Sequence, residues 1–162
     1  MSTRVAINGF GRIGRMVFRK AILDEHLDIV AINASYPPET LAHLIKYDTN
    51  HGPFMGDVRA MDDHLIINGK KVQLLNNRNP ETLPWKNLNI DIVIEATGKF
   101  NHRDKAALHL NAGAKRVVLT APGTNEDVTI VMGVNENDLD INNHYVISNA
   151  SCTTNCLAPI AK

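Results

Sequence analysis

The chain has 162 residues, of which 44% are hydrophobic, and its 17 lysine and arginine residues equal its 17 aspartate and glutamate residues. This length favours one domain with one core, and the balanced charge gives no reason to expect nucleic acid or an acidic membrane as a partner. No apolar run approaches the roughly 18 residues of a membrane span, and the N-terminus leads straight into a strand instead of a signal peptide. We therefore expect a cytoplasmic protein whose ligand is held by a local site.

Short apolar runs alternate with segments of helical spacing along most of the chain. Asn68-Gly69 between two apolar runs is typical of a two-residue hairpin, and the near-continuous apolar run over 90–96 is expected of a strand covered on both faces. This βαβ series predicts an α/β protein with a Rossmann-type, doubly wound, mostly parallel sheet and an inserted antiparallel hairpin. The predicted strands are 4–8, 28–34, 65–67, 70–75, 90–96, 116–120, 128–134 and 145–148. The predicted helices are 13–21 with Ile13, Met16, Val17 and Ala21 on one face, one opening at 37–40, one over 103–112 and one from about residue 151.

The stretch GFGRIG satisfies G-x-G-x-x-G between a strand and a helix. Gly9, Gly11 and Gly14 would allow a tight turn, close approach of the backbone to a pyrophosphate and close packing of the helix on the strand. The helix N-terminus adds free N–H donors, and Arg12 and Ile13 would flank the phosphates. A glycine-rich turn without a ligand is the alternative, but the second strand ends where the motif requires it. The stretch therefore predicts a dinucleotide-binding site.

The residue expected to bind the adenosine ribose is missing. The motif places an acidic residue about 20 positions after the glycines, and counting from Gly14 reaches Ala34. A carboxylate about 4 Å from the extra phosphate of NADP would be repelled by several kcal/mol at an effective dielectric of 20. Ala34 removes that repulsion, and Ser35 can donate a hydrogen bond. The nearest candidate cations are Lys46 and Arg78, so we expect NADP to be preferred and NAD to bind more weakly.

The two cysteines, Cys152 and Cys156, are four residues apart, which suits neither a disulfide framework nor a four-ligand zinc site. Cys152 lies where a strand ends and a helix begins, and the positive end of a helix favours the nucleophilic thiolate. A small buried cysteine is the alternative for Cys152, and it is the expectation for Cys156.

The stretches AINGFGRIGR, LIKYD, EATGKF, GAKRVVLTAP and SNASCTTNC resemble the N-terminal half of phosphorylating glyceraldehyde-3-phosphate dehydrogenases along essentially the whole chain. The resemblance implies a nicotinamide-dependent oxidoreductase of glycolysis and gluconeogenesis, typically a homotetramer, with glyceraldehyde 3-phosphate and inorganic phosphate as substrates. It implies that residues 1–150 bind the cofactor and that 151–162 begin a catalytic domain. Cys152 would attack the substrate aldehyde, with Ser151 and Thr153 beside it in the anion site.

The family pattern also implies a line of cofactor contacts. Arg78 and the two threonines have simpler alternatives, as an exposed loop arginine and as strand-end hydroxyls that cap the backbone. The implied contacts are Gly9, Arg12 and Ile13 at the pyrophosphate, Asn33 and Ala34 at the adenosine ribose, Arg78 at the adenine, and Thr97, Gly98 and Thr120 toward the nicotinamide.

The chain departs from the family pattern in two ways. NAD-dependent members carry Asp where this chain has Ala34, so the chain resembles the NADP-linked branch that works in the gluconeogenic direction. The family's catalytic histidine and substrate-phosphate residues follow the cysteine motif and lie beyond Lys162, so we expect this chain to bind cofactor without turnover, since general acid-base catalysis contributes about 10² to 10⁴-fold. An erythrose-4-phosphate dehydrogenase and a stand-alone nucleotide-binding module remain alternatives. The histidines present are expected at the surface or in loops: His26, His43, His51, His64, His102, His109 and His144.

Overall fold

A mixed sheet of nine strands forms the centre of the protein. The structure is a computed structural model that describes residues 2–162; Met1, the first residue of the predicted cofactor domain, lies outside the described residues. The strands are β1 Thr3–Asn8, β2 Leu27–Asn33, β3 Val58–Ala60, β4 His64–Ile67, β5 Lys70–Leu75, β6 Ile92–Glu95, β7 Arg116–Leu119, β8 Val128–Thr129 and β9 Val146–Ser148. The helices are α1 Arg12–Ala21, α2 Pro38–Lys46, α3 Arg103–Ala106, α4 Leu108–Asn111 and α5 Cys152–Ala161, with short 3-10 turns at Pro80–Thr82 and Glu136–Asp138.

The strand order is β3-β4-β5-β2-β1-β6-β7-β9-β8, and the sheet is parallel from β5 to β8. The segment from β5 to β9 has the order 3-2-1-4-5-6 of dinucleotide-binding folds. The chain winds outward in one direction from β1 to β2 and in the other from β1 to β6, so the strand order reverses at β1. Ligands of such sheets bind beside the carboxyl ends of the strands at this reversal. The predicted Rossmann-type sheet is confirmed.

The predicted hairpin is also confirmed. β4 and β5 pair antiparallel, and Asn68 and Gly69 have φ values of 50° and 82°, as a two-residue turn of type I′ requires. β5 pairs parallel with β2 on its other side, so this hairpin extends the parallel sheet at one edge.

Several predicted elements are shorter than the sequence indicated, among them the strand predicted over 90–96, which is limited to the four residues of β6. The strand predicted over 128–134 is limited to β8, because the side chain of Asn135 accepts a hydrogen bond from the Val131 N–H at 2.8 Å and the Val134 N–H turns back to the Val131 carbonyl. The helix predicted over 103–112 is divided at Ala107 into α3 and α4. It ends at Gly113, as predicted, with a φ of 104°.

Helix α1 turns part of the predicted face to the core, since Ala21 is buried and Val17 packs against the apolar core. Gly14, Phe18 and Ala21 are buried, while Ile13 is 56% exposed. Phe18 packs edge-on against Phe10 with ring centroids 5.5 Å apart. Ile13, in the first turn of α1, lies beside the open end of the helix.

Apolar side chains cover both faces of β1. Val5 and Ile7 belong to one buried cluster together with Phe18, whereas Ala6 belongs to another cluster with Trp85. Successive side chains of a strand point to opposite faces, so β1 lies between two apolar layers. Its carboxyl end is therefore held firmly where the glycine stretch begins.

Candidate cofactor cleft and cysteine segment

The glycine loop packs too tightly for side chains at two of its three glycines. Gly9 has a φ of 93°, and a Cβ on it would lie 2.8 Å from the backbone of Thr97. A Cβ on Gly14 would lie 2.2 Å from the carbonyl oxygen of Gly9. A Cβ on Gly11 would meet nothing within 4 Å. Gly9 and Gly14 thus allow the loop to form, and Gly11 borders open space where a ligand can approach the backbone.

The open space lies at the start of α1. Gly11 is the N-cap residue, and no side chain caps this helix, so the first N–H groups of α1 have no intrahelical acceptor. Arg12 and Ile13 are exposed beside them. Free N–H donors and the positive end of the helix dipole form a site suited to phosphate.

A cleft of about 530 Å³ extends from this loop across the carboxyl ends of β1, β2 and β6. Backbone hydrogen bonds fix its floor, from Gly9 N–H to the Asn33 carbonyl at 3.0 Å and from Ala96 N–H to the Asn8 carbonyl at 2.8 Å. Its volume falls in the usual range for small-molecule sites. The cleft is lined by Asn8, Gly9, Phe10, Gly11, Asn33, Ala34, Ser35, Tyr36, Asn77, Arg78, Ala96, Thr97, Lys99 and Phe100.

The predicted ribose end of the cleft carries positive charge. Ala34, Ser35 and Arg78 line the same cleft, and Lys99 adds a second cation, while no aspartate or glutamate among the described residues is part of the lining. Lys46, the other cation considered from the sequence, is not in the lining and has its amine 5.9 Å from the ring centre of Tyr47. The described lining of the cleft therefore carries a net positive charge.

The cysteine segment begins α5 as predicted. Ser151 is the N-cap, and its Oγ accepts a hydrogen bond from the Thr154 N–H at 2.9 Å and contacts the Thr153 hydroxyl at 2.9 Å. Cys152 is a free, exposed thiol in the first turn. The prediction that Cys156 is buried is wrong, because it is also exposed on a helix with no buried residue.

Cys152 and the glycine loop lie along the same edge of the sheet. β1, β6, β7 and β9 are neighbouring parallel strands, and Cys152 follows the carboxyl end of β9 as Gly9 follows that of β1. With adjacent strands about 4.8 Å apart, three strand spacings separate the two segments by about 14 Å. Thr120, whose hydroxyl donates to the Glu95 carbonyl at 3.1 Å, follows β7 between them. An elongated ligand bound at the glycine loop can extend toward the thiol.

Comparison with known proteins agrees with this geometry. Residues 3–103 match the family described as glyceraldehyde 3-phosphate dehydrogenase, NAD binding domain. The chain is 68% identical over its full length to glyceraldehyde-3-phosphate dehydrogenase 2 of Bacillus subtilis, and 58% identical to proteins of the same name from Staphylococcus epidermidis and Staphylococcus aureus. The chain belongs to the glyceraldehyde-3-phosphate dehydrogenase family. It covers 48% of each of these relatives, or about half of their length.

Membership of this dehydrogenase family makes the chain a binding domain for a nicotinamide dinucleotide, and its residues fit that ligand. The glycine loop accepts a pyrophosphate because Gly11 leaves its backbone uncovered and α1 has an uncapped N-terminus. Of the predicted cofactor-binding residues, the cleft lining includes Gly9, Gly11, Asn33, Ala34, Ser35, Arg78 and Thr97. Arg12, Ile13 and Gly14 lie in the first turn of α1, and Gly98 and Thr120 lie outside the lining.

Sequence reasoning missed a buried polar cluster beneath the cleft. Glu95, Asn8 and His109 are each buried and are joined by hydrogen bonds. The expectation that all histidines lie at the surface or in loops is wrong for His109, which is fully buried in α4. A glutamate at the end of an otherwise apolar strand, where EATG follows residues 90–94, was the available signal.

An aspartate fixes the start of the strand that leads to Cys152. The carboxylate of Asp127 accepts hydrogen bonds from the backbone N–H groups of Tyr145 and Val146, at 2.7 and 2.8 Å, and from Arg103 Nε at 2.7 Å. Burial alone would raise the pKa of Asp127, but these hydrogen bonds, that of Val146 first, outweigh burial and hold the pKa below its ordinary value. The ionised carboxylate therefore anchors β9.

A second carboxyl with a lowered pKa, that of Asp91, lies beside Arg4 of β1. The Lys115 amine at 2.6 Å is the main cause that lowers the pKa of Asp91, and the Arg4 N–H at 2.9 Å is the next.

Within residues 2–162, no helix combines the length and the apolar character needed to cross a membrane.

Proposed function

We propose that the chain is the cofactor-binding portion of a phosphorylating glyceraldehyde-3-phosphate dehydrogenase. Residues 1–150 form the NAD(P)-binding domain, and 151–162 begin the catalytic domain. The observation that carries the proposal is an exposed thiol, Cys152, at the start of a helix on the same sheet edge as a dinucleotide cleft. Its whole reaction is the reversible oxidation and phosphorylation of glyceraldehyde 3-phosphate to 1,3-bisphosphoglycerate.

In this reaction the Cys152 thiolate adds to the aldehyde carbon and the carbonyl oxygen takes up a proton. The resulting thiohemiacetal becomes a thioester when its carbon gives up a hydride and its hydroxyl gives up a proton, which the family's acid-base histidine would accept. Inorganic phosphate then attacks the thioester carbon and the thiolate leaves, which yields the acyl phosphate. When bound, the nicotinamide ring supplies the hydride acceptor. Ser151 and Thr153 carry hydroxyls 2.9 Å apart next to the thiol and contribute donors for the phosphate anion.

The cofactor site prefers NADP over NAD. Ala34, Ser35 and Arg78 line one cleft whose described lining has no carboxylate, so the extra phosphate of NADP meets a hydroxyl and a guanidinium. Gly9, Arg12 and Ile13 contact the pyrophosphate, Asn33 the adenosine ribose, and Thr97, Gly98 and Thr120 the part of the cofactor that leads to the nicotinamide.

Titration of the chain with NADP and NAD by calorimetry tests this preference. We expect a lower dissociation constant for NADP, and we expect Arg78→Ala to weaken NADP binding several-fold and NAD binding, which lacks the extra phosphate, by less. Lys46→Ala is the matched control, since it removes an equal charge outside the cleft lining. A clear advantage for NAD in the unmodified chain would contradict the preference.

The 162-residue chain alone should bind cofactor without turnover, because the family's acid-base histidine and phosphate-binding residues lie beyond Lys162. Oxidation of glyceraldehyde 3-phosphate and of erythrose 4-phosphate by the full-length protein, compared with its Cys152→Ser variant, distinguishes the two dehydrogenases. A coding region that ends after Lys162 would instead favour a stand-alone nucleotide-binding module. As a full-length enzyme we propose a cytoplasmic homotetramer that acts in gluconeogenesis or glycolysis on small-molecule substrates.

A further inference from the structure

A chain of hydrogen bonds beneath the cleft ends at one buried carboxylate. Glu95, at the end of β6, is 1% exposed, and its Oε2 lies 2.6 Å from Asn8 Nδ2 and 3.0 Å from His109 Nε2. Trp85 Nε1 lies 2.9 Å from His109 Nδ1. Because an indole N–H only donates, His109 Nδ1 accepts, so Nε2 carries the proton and donates to Glu95.

On the side of the cleft predicted to hold the adenosine, each group also donates its hydrogen bond toward Glu95. The backbone N–H of Asn77 donates to Asn33 Oδ1 at 2.9 Å, which turns Asn33 Nδ2 toward Asn8 Oδ1 at 2.6 Å. Asn8 Nδ2 in turn faces Glu95. The orientation of both amides is thus fixed between a backbone N–H at one end and a carboxylate at the other, and Asn77 precedes Arg78 in the cleft wall.

On the opposite wall, Glu95 Oε1 accepts from the Thr97 N–H at 2.7 Å and from the Thr97 hydroxyl at 2.5 Å. That hydroxyl accepts from the Lys99 N–H at 3.1 Å. In each of these chains of hydrogen bonds, every group donates to the next one and Glu95 is the final acceptor. Both oxygens of Glu95 thus have hydrogen-bond donors, and among the described residues His109 is the other titratable side chain in hydrogen-bond contact with it.

We propose that Glu95 is a positioning residue for the cofactor: as a buried acceptor it orients Asn8, Asn33 and Thr97, and through them both walls of the dinucleotide cleft. This inference rests on the proposed use of the cleft for NAD(P). A wall that is already ordered loses less conformational freedom when ligand binds, which strengthens binding without a direct contact. Because a low dielectric strengthens each bond and penalises each unmet donor, the network has one preferred arrangement.

Glu95→Gln tests the inference. The new NH₂ group must face either Asn8 and His109 or the Thr97 N–H, so one wall loses its orientation in either rotamer. We expect the dissociation constant of whichever dinucleotide the chain binds to rise about tenfold, the scale of one unsatisfied buried donor. Leu65→Val, a buried change in β4 away from the cleft lining, controls for loss of stability and should leave affinity within about twofold.

Asn8→Asp provides a readout that loss of packing would not produce. The introduced carboxyl has the shape of the amide but brings two carboxylates together, so one of them takes up a proton far more readily than usual. When protonated, the introduced group again donates to Glu95 while its other oxygen accepts from Asn33. We expect affinity to be reduced near pH 8 and to recover toward the unmodified value near pH 5, with melting curves confirming a folded chain at each pH.

These experiments test the positioning role of Glu95 separately from the proposed cofactor binding. If the unmodified chain binds a dinucleotide and Glu95→Gln binds it equally well, or if Asn8→Asp binds with no dependence on pH, the positioning role is refuted and the cofactor assignment stands. If the unmodified chain binds neither nucleotide, both proposals fall. Should Glu95→Gln not fold, the pH profile of Asn8→Asp decides alone.

Discussion

Replacement of Gly14 by alanine should separate the glycine loop from helix α1. The new Cβ would lie 2.2 Å from the Gly9 oxygen, whereas ordinary contacts begin at 3.4 Å, so the two backbone segments must move apart by about 1 Å. Such overpacking costs about 1–3 kcal/mol, and the upper end applies because no rotamer change can move a carbonyl oxygen. Alanine is about 1 kcal/mol more favourable than glycine in a helix, so the free energy of unfolding should fall by about 2 kcal/mol in all.

Gly11→Ala is the matched control in the same loop. Its Cβ meets nothing within 4 Å and its φ of −73° suits alanine, so stability should change by less than about 1 kcal/mol. The new methyl instead projects where a pyrophosphate would approach, so dinucleotide affinity should fall. Thermal unfolding followed by circular dichroism measures the contrast: about 2–4 °C per kcal/mol predicts a loss of about 4–8 °C for Gly14→Ala. Equal melting temperatures for the two variants would refute the packing argument.

Two further substitutions and one acid titration test the cofactor site and the aspartates that support the fold around it. Ala34→Asp should lower NADP affinity, by a repulsion between about 1 kcal/mol in water and about 4 kcal/mol at a dielectric of 20, and should move the preference toward NAD in a calorimetric titration. Asp127→Asn turns an amide toward two N–H donors or toward Arg103, and should cost about 2 kcal/mol in urea unfolding; an unchanged midpoint would contradict the role given to this carboxylate. Since the pKa values of Asp127 and Asp91 are depressed in the folded state, their stabilisation is complete above about pH 4 and is lost as pH falls through the folded-state values. When the free energy of unfolding is measured at decreasing pH, it should therefore fall less in Asp127→Asn than in the unmodified chain.

The sequence predicted the features that depend on local backbone chemistry. The Asn68-Gly69 turn and the start of a helix near residue 151 were readable because each follows from what the local residue types can do within a few positions. The positions of α1 and β2 around the glycine loop were readable for the same reason. These elements set the cleft, so its location could be predicted before any contact was known.

Features that depend on particular side-chain contacts were not readable. Phe18 of α1 is buried against Phe10, although helical spacing did not place it on the predicted apolar face. The strand predicted over 128–134 ended early because the Asn135 side chain competes for the backbone of Val131. In both cases a specific side-chain contact overrode a periodic signal. The same limit applies to Arg78, whose place beside Ala34 depends on how β5 pairs with β2.

Backbone strain beside the cysteine segment was equally hidden. Ala150 adopts a φ of 58°, a left-handed conformation that costs a residue with a Cβ about 1 kcal/mol. Hydrogen bonds on both sides hold it there: the Ala150 N–H donates to Ser148 Oγ at 3.1 Å, and the Asn149 N–H donates to the Leu119 carbonyl at 3.0 Å. The side chain of Asn155 also returns to the Asn149 carbonyl at 2.7 Å. A strained residue persists only where its surroundings determine it, so the turn from β9 into α5 is fixed by neighbouring strands, and with it the position at which Cys152 enters its helix.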